Sequence, residues 1–289
     1  MNQRSFEESQ GMTVISRLEI SGGSAKIVSM KGLIIIGVDT GGTFTDFVYF
    51  RDGRITAGKV RSTPENPSKA IPQGISQYIQ DGRGRLGLIV HGSTVATNAL
   101  LERKGARIAL ITTSGFEDVL FIGRQARRKL FSISGETRDY IMDRRDSFGL
   151  EERTDYKGNI LKEVDSRKLK EIIEKINKRK IGAVAVCLIN SYANGKNEAV
   201  IKAALGRAGI PSSISSALLP EYREYERTAT TAVNAYLMPV AGKYLADLRK
   251  ELSGVNLQIM QSNEGYISAE QAAREPIRMA LSGPGRICG

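Results

Sequence analysis

The sequence predicts an α/β protein, and three observations carry that reading. Short apolar runs without helical spacing recur at residues 33–38, 85–90, 107–112 and 181–189, each of strand length. Helical patterns separate them, the clearest at 165–180, where Leu169, Ile172, Ile173 and Ile176 fall at i, i+3, i+4 and i+7. Small polar residues follow several of the runs, at Thr40–Thr43, His91–Thr94 and Thr113–Gly115, where α/β sheets place their ligands.

The dominant stretch is 33–50, L-I-I-I-G-V-D-T-G-G-T-F-T-D-F-V-Y-F. It reads as a strand, a tight turn at Thr40, Gly41, Gly42 and Thr43, and an aromatic and β-branched second strand from Phe44. Backbone N–H groups in such a turn can hold phosphate oxygens, with hydroxyls from Thr40, Thr43 and Thr45 nearby. Asp39 and Asp46 stand at its shoulders, where a carboxylate can hold Mg²⁺ directly or through water. A plain Gly-Gly hairpin without a ligand has the same backbone. Two acids, three threonines and two glycines within eight residues favour the phosphate reading. No Gly-Lys-Ser/Thr follows, and a strand rather than a helix comes next, so neither the Walker loop nor the dinucleotide fingerprint fits.

Further along, 55–61 reads as a strand and 68–80 as a helix. The run 85–90 leads into H-G-S-T-V-A-T-N-A and a helix to about Lys104, closed by Gly105. His91 is the only histidine. A lone histidine is commonly a core residue, but this one lies near the end of a strand, with Gly92, Ser93 and Thr94 supplying small donors that suit an anion. A strand at 107–112 and a helix at 116–123 follow. The lysine-rich helix at 165–180 presents a solvated face. A buried strand at 181–189, a helix at 197–207 ending at Gly209, and a short strand at 211–216 continue the alternation. E-Y-R-E-Y-E-R at 221–227 opens a salt-bridged helix to about Leu237, which Pro239 should kink or interrupt before it resumes to Leu252. A strand at 256–260 comes next, and Ser282-Gly283-Pro284-Gly285 makes a turn able to approach a ligand closely.

Composition excludes little but narrows the class. Hydrophobic residues at 41% and charged residues at 25% of 289 are ordinary for a globular protein, and no apolar run reaches membrane-spanning length. The net charge of +11 raises nucleic acid as a partner. The basic residues are dispersed among acids, and the densest cluster is Arg124, Arg127, Arg128 and Lys129, so neither nucleic acid nor membrane is expected as a partner. Cys187 and Cys288 lie far apart, and Cys187 reads as a buried thiol of a reducing cytoplasm. Residues 1–29 show weak periodicity and no signal-peptide core. They are expected to be a disordered extension, with Met30 the native start.

Several motifs together make the chain recognisable. D-T-G-G-T-F-T-D at 39–46, H-G-S-T-V-A-T-N-A-L-L-E-R-K-G-A at 91–106 and T-T-S-G-F-E-D-V-L-F-I-G-R-Q at 112–125 come first. E-E-R-T-D-Y-K-G at 151–158, P-E-Y-R-E-Y-E-R-T-A-T-T-A-V-N-A-Y-L at 220–237, I-M-Q-S-N-E-G-Y at 259–266 and L-S-G-P-G at 281–285 follow in order. The set resembles the hydantoinase A / 5-oxoprolinase family, and the hairpin resembles the first phosphate loop of the actin, sugar-kinase and chaperone ATPase superfamily. The resemblance implies an actin-like (ribonuclease H-like) ATPase first lobe with the beginning of a second. It divides the chain into an extension at 1–30, a hydantoinase/oxoprolinase N-terminal domain at 31–216 and the start of a hydantoinase A domain at 217–289. Family patterns show a glycine where this chain has Glu264 and small residues where it has Arg286.

The implied activity is ATP-dependent opening of a cyclic amide, a hydantoin or 5-oxoproline, through phosphorylation of its carbonyl oxygen. The alternatives are a subunit of an acetone- or acetophenone-type carboxylase, or a non-catalytic fragment that needs a complementing chain. The cofactors implied are ATP and Mg²⁺. The catalytic set is Asp39, Asp46 and His91, with Asp39 holding Mg²⁺ through water. Thr40, Gly41, Gly42, Thr43 and Thr45 cradle phosphate. Ser93, Thr94, Asn98, Arg124, Glu224 and Arg227 are cleft or substrate candidates. A B-type hydantoinase subunit, an oligomeric state and a cytoplasmic location belong to the same expectation. Actin-like ATPases use a phosphate loop from each lobe, and this sequence holds one, so weak or no turnover is expected of the chain by itself.

Overall fold

The computed structural model describes residues 18–21, 24–27, 32–41, 43–62, 70–78, 85–124 and 140–280. Gly42, Arg127, Arg128, Lys129, Arg286, Cys288 and the 282–285 turn lie outside them, as does most of the 1–30 segment. The described part of that segment is an antiparallel hairpin of β1 (Leu18–Ser21) and β2 (Ser24–Ile27). The next elements are β3 (Leu33–Thr40), β4 (Phe44–Arg51), β5 (Arg54–Arg61), α1 (Ala70–Tyr78), β6 (Arg85–Ser93), α2 (Val95–Leu101), β7 (Ile108–Thr113) and α3 (Val119–Ile122). They are followed by β8 (Ser147–Leu150), a small hairpin of β9 (Arg153–Thr154) and β10 (Ile160–Lys162), α4 (Ser166–Lys178), β11 (Ala183–Cys187), α5 (Lys196–Arg207) and β12 (Ser212–Ile214). The last are α6 (Ser215–Leu218), α7 (Glu224–Glu251), β13 (Leu257–Met260), β14 (Tyr266–Ser268), α8 (Ala269–Arg274) and α9 (Ile277–Ala280).

Two larger sheets organise the chain. One has the order β14-β13-β6-β3-β4-β5, the other β12-β11-β7-β8. Burial separates them. Every residue of β7 and β11 is buried, as a parallel sheet covered on both faces requires. On one side α4 and α5 supply Leu169, Ile172, Ile176, Ile201 and Leu205 against Ile111, Val184 and Val186. On the other side Ala183 and Ala185 share a core with Ala232 and Ala235 of α7, small residues that let helix and sheet approach closely. The six-stranded sheet instead alternates along β3 and β4. Ile34, Ile36, Val38, Phe47 and Tyr49 face the core that includes α7. The opposite face carries the exposed Phe44, Val48, Ile55, Met260 and Tyr266.

Helix α7 is therefore shared between both sheets, and it runs unbroken through Pro239. The expected interruption is absent. The proline removes one intrahelical hydrogen bond, but Leu237 and Ala241 on either side are fully buried and hold the turn in place. Gly105 also has a different reason from the one expected. The residue in the left-handed region after α2 is Arg103, at φ 56°, and a side chain at Gly105 would lie 2.1 Å from the Tyr236 ring. Gly105 is there for close packing against α7. The helix expected at 116–123 is a single turn, and α7 begins at Glu224 after Arg223, whose φ is 80°. Asp165, expected as the first helical residue, instead caps α4, accepting from the amides of Arg167 and Lys168.

Glu264 adopts φ 76°, in the region that favours glycine, and it is exposed. The glycine of the family pattern thus has a backbone reason in this loop. Glu264→Gly is expected to raise stability by about 0.5–1 kcal/mol, the relief of left-handed strain exceeding the added chain entropy. Urea denaturation of the two proteins checks this, and a lower midpoint for the glycine variant would contradict it.

Candidate functional site

The β3–β4 hairpin is sorted by its pleat. Asp39 lies directly opposite Asp46, and Thr40 opposite Thr45. Adjacent pairs point to opposite faces, so both carboxylates are exposed on the open face while both threonines are buried beneath it. Two like charges facing each other across a strand pair repel. Lys59 relieves one of them, with its Nζ 3.0 Å from Asp46. Asp39 makes no ion pair with another described residue. Gly92 sits beside it on β6, and a side-chain carbon there would come 3.2 Å from its Oδ1.

The tip is stapled from β5 by Ser62, a residue with no signal in the sequence. Its Oγ donates to the Gly41 carbonyl at 2.8 Å, its N–H donates to the Thr43 carbonyl at 3.0 Å, and its Oγ lies 2.9 Å from Thr45 Oγ1. The Gly41 amide is closed on the Phe44 carbonyl at 3.0 Å. Thr43 is exposed. From the other side, Thr94 Oγ1 reaches the Thr40 carbonyl at 3.4 Å, and Asn98 donates to Thr94 at 3.4 Å. The structure therefore brings Asp39, Thr40, Gly41, Thr43, Thr45, Asp46, His91, Ser93, Thr94 and Asn98 together at one end of the sheet.

His91 is wholly enclosed beneath this hairpin. Its Nε2 is 2.7 Å from the hydroxyl of Tyr244 on α7. Burial pushes the imidazole pKa down to about 4, so it is neutral at physiological pH. Burial pushes the Tyr244 hydroxyl up to about 12. A neutral tyrosine donating to a neutral imidazole satisfies the Tyr244 hydroxyl and His91 Nε2. His91 thus supports the loop from inside and does not line its surface.

Arg124, Glu224 and Arg227 gather elsewhere, at the N-terminal end of α7. Arg124 pairs with Glu226 at 2.7 Å on the surface. Arg227 is fully buried, a correction to its expected place facing a cleft. Its guanidinium bonds Glu224, Ser191, Ser215 and the Leu188 carbonyl, and lies over the Tyr192 ring. Glu198, also fully buried, accepts from the Leu188 and Ser216 amides and the Ser215 hydroxyl. These groups tie α5, α6 and α7 to the end of β11. Nearby Thr113 donates to the buried Glu152, which Asn197 also contacts. Cys187 is a free buried thiol held near pKa 11 by desolvation.

Among the described residues no group of three or more His, Cys, Asp or Glu could hold a metal ion. A Mg²⁺ ion bound with phosphate needs only one or two carboxylates from protein, and Asp39 beside the space left by Gly92 fits that need. No helix among the described residues is long and apolar enough to cross a membrane.

The family model for the hydantoinase/oxoprolinase N-terminal region matches residues 35–209, and the hydantoinase/oxoprolinase model matches 227–285. The chain belongs to the hydantoinase/oxoprolinase family. Within and around that family, 5-oxoprolinase 1 of Arabidopsis thaliana is 34% identical over 88% of this chain and 23% of its own length. The acetophenone carboxylase gamma subunit of Aromatoleum aromaticum is 30% identical over 74% of this chain and 32% of its own. The crystal structure of ATP-dependent caprolactamase from Pseudomonas jessenii superposes with a TM-score of 0.73 at 30% identity, over 86% of this chain and 38% of that one. The shared fold is α/β and consistent with an actin-like ATPase. The chain spans between about a quarter and two fifths of the length of these relatives.

Arg227→Ala is expected to cost about 3–5 kcal/mol, because Glu224 loses its buried counter-charge and Ser191, Ser215 and the Leu188 carbonyl lose a buried donor. Lysine should not restore it, since it cannot reproduce the forked contacts. Urea denaturation of both variants measures this. The histidine gives a second expectation. Unfolded, it protonates near 6.5, and folded only near 4. Between these values the unfolded chain binds more protons, so stability is full above pH 6.5 and falls as the pH drops, by up to about 3 kcal/mol. With a single histidine, the loss between pH 6.5 and 4.5 should be flattened by His91→Gln in thermal melts.

Proposed function

We propose that this chain is the phosphate-gripping portion of an ATP-dependent hydrolase that opens a cyclic amide. The observation that supports this most is the hairpin, with Thr43 exposed at its turn, braces from Ser62 and Thr94, and two opposed carboxylates at its mouth. Family membership and the ATP-dependent caprolactamase relative support the nucleotide and the reaction class.

The residues divide into three roles. Gly42 and Thr43 supply backbone donors to phosphate oxygens, the Thr43 hydroxyl adds to them, and Gly41, whose amide is closed on the Phe44 carbonyl, allows the close approach of the backbone. Thr40 and Thr45 hold the turn from beneath, with Ser62. Asp39 holds Mg²⁺ through water, and Asp46 keeps Lys59 at the rim. When bound, Mg²⁺ neutralises charge on the phosphates. An amide carbonyl is a poor electrophile. Attack of its oxygen on the terminal phosphorus of ATP breaks the phosphoanhydride bond and releases ADP. Water can then add to the activated carbon, cleavage of the C–N bond with a proton passing to the ring nitrogen opens the ring as an acyl phosphate, and a second water hydrolyses this to the carboxylate and phosphate. Ser93, Thr94 and Asn98 line the approach to the hairpin. The reading includes a second subunit of the B type, an oligomer and a cytoplasmic setting.

The acetophenone carboxylase relative favours one other reading, a carboxylase subunit. Substrate dependence separates them in the chain combined with a polypeptide supplying the rest of the relatives' length. ADP release stimulated by 5-oxoproline or a hydantoin supports the hydrolase, and release stimulated by a ketone with bicarbonate supports the carboxylase. In the same assembly Asp39→Asn should lower turnover roughly 100-fold, on the scale of a lost transition-state charge contact. Unchanged turnover would count against the assignment of Asp39.

A further inference from the structure

Beneath the hairpin lie two buried polar atoms without a full hydrogen-bond partner, Thr40 Oγ1 and His91 Nδ1. Such groups are uncommon in folded proteins and call for a reason. Both belong to one small cluster. Thr40 and Ser93 are register partners on β3 and β6, and their hydroxyls lie beside the Tyr244 hydroxyl. That hydroxyl in turn meets His91 Nε2 at 2.7 Å. His91 Nδ1 faces the Val38 carbonyl, again on β3, without closing a good bond. The pattern assigns the imidazole its proton on Nδ1, with Nε2 accepting from tyrosine. Tyr244 thus reaches from α7 to the ends of both strands carrying the site.

We propose that Tyr244 is a positioning residue for the phosphate hairpin, acting through His91 and Thr40. The proposal rests on the hairpin being a phosphate site. Thr40 is the last residue of β3, and its carbonyl is already restrained by Thr94. Its hydroxyl has slack, and so does the Nδ1 contact to Val38. Engagement of phosphate at the tip draws on the backbone of 40–43, and the adjustment is taken up by closing these two loose bonds around Tyr244. The tyrosine holds the loop near its loaded geometry and carries its state to the helix shared by both sheets.

The single histidine makes this directly observable. In the full chain labelled with ¹⁵N-histidine, the two ring nitrogens give unambiguous signals. Saturation with Mg·ADP should move the His91 ring signals, and Tyr244→Phe should shift Nε2 in the free protein. Calorimetry with Mg·ADP should show affinity about three- to tenfold weaker in Tyr244→Phe, the worth of one neutral hydrogen bond. If the phenylalanine variant does not fold, Thr40→Val, which keeps the His91–Tyr244 bond, should show the same loss of affinity. Absence of Mg·ADP binding by the wild-type chain, alone and when combined with a polypeptide supplying the rest of the relatives' length, would overturn the phosphate reading and the proposal together. Wild-type binding with unmoved histidine signals, or with undiminished affinity in the variants, would overturn the role of Tyr244 and leave the phosphate site standing.

Discussion

The two-residue period of β3 and β4 is the constraint on which the site depends. It places Asp39 and Asp46 on one side of the sheet and Thr40, Thr45 and His91 on the other. A slip of β3 by one residue would bury Asp39 and expose the isoleucine row, so the hydrophobic pattern of β3 fixes the chemistry of the turn as firmly as it fixes the core. The site residues are ordered by the same burial that folds the strand. The end of the hairpin is then braced by contacts from Ser62 after β5 and from Thr94 at the start of α2.

Helix α7 plays the corresponding part on the scale of the whole chain. Its first turns are anchored by a buried guanidinium within a ring of oxygen partners, and its later turns reach the six-stranded sheet through Tyr244. A charge buried this fully is stable only when it is paired and bonded on several sides, which makes the geometry at Arg227 exacting. Small residues facing β11 set the helix close to the parallel sheet, and the larger Tyr236 and Tyr244 span toward the neighbouring elements. The placement of one sheet relative to the other is therefore written largely in one helix.

Much of this was legible from local pattern. The hairpin, its turn and its acids stand within a dozen residues, and the strand–helix alternation follows from apolar spacing alone. The grouping of His91, Ser93 and Thr94 beside the turn was also visible, because small polar residues follow an apolar run. What escaped notice depended on distant partners. Tyr244 lies 153 residues from His91 and reads as one more apolar position of a helix. Ser62 looks like the start of an ordinary loop. Arg227 sits among alternating charges that suggest a solvated face, yet α7 is covered on more than one side, which blurs the amphipathic signal that would have marked the residue as interior. Pro239 misled for a related reason, since propensity speaks of an isolated helix and this one is clamped.

The order of strands in the larger sheet has a consequence for how the protein is made. β13 lies beside β6, with Leu257 next to Ile89, although all four strands of the second sheet are encoded between them. During synthesis the edge of β6 stays without its neighbour until that intervening chain has emerged, a wait of roughly 10–30 s at common elongation rates. The growing polypeptide thus presents an incomplete sheet edge throughout the synthesis of the second sheet, with the β3–β4 hairpin already made beside it.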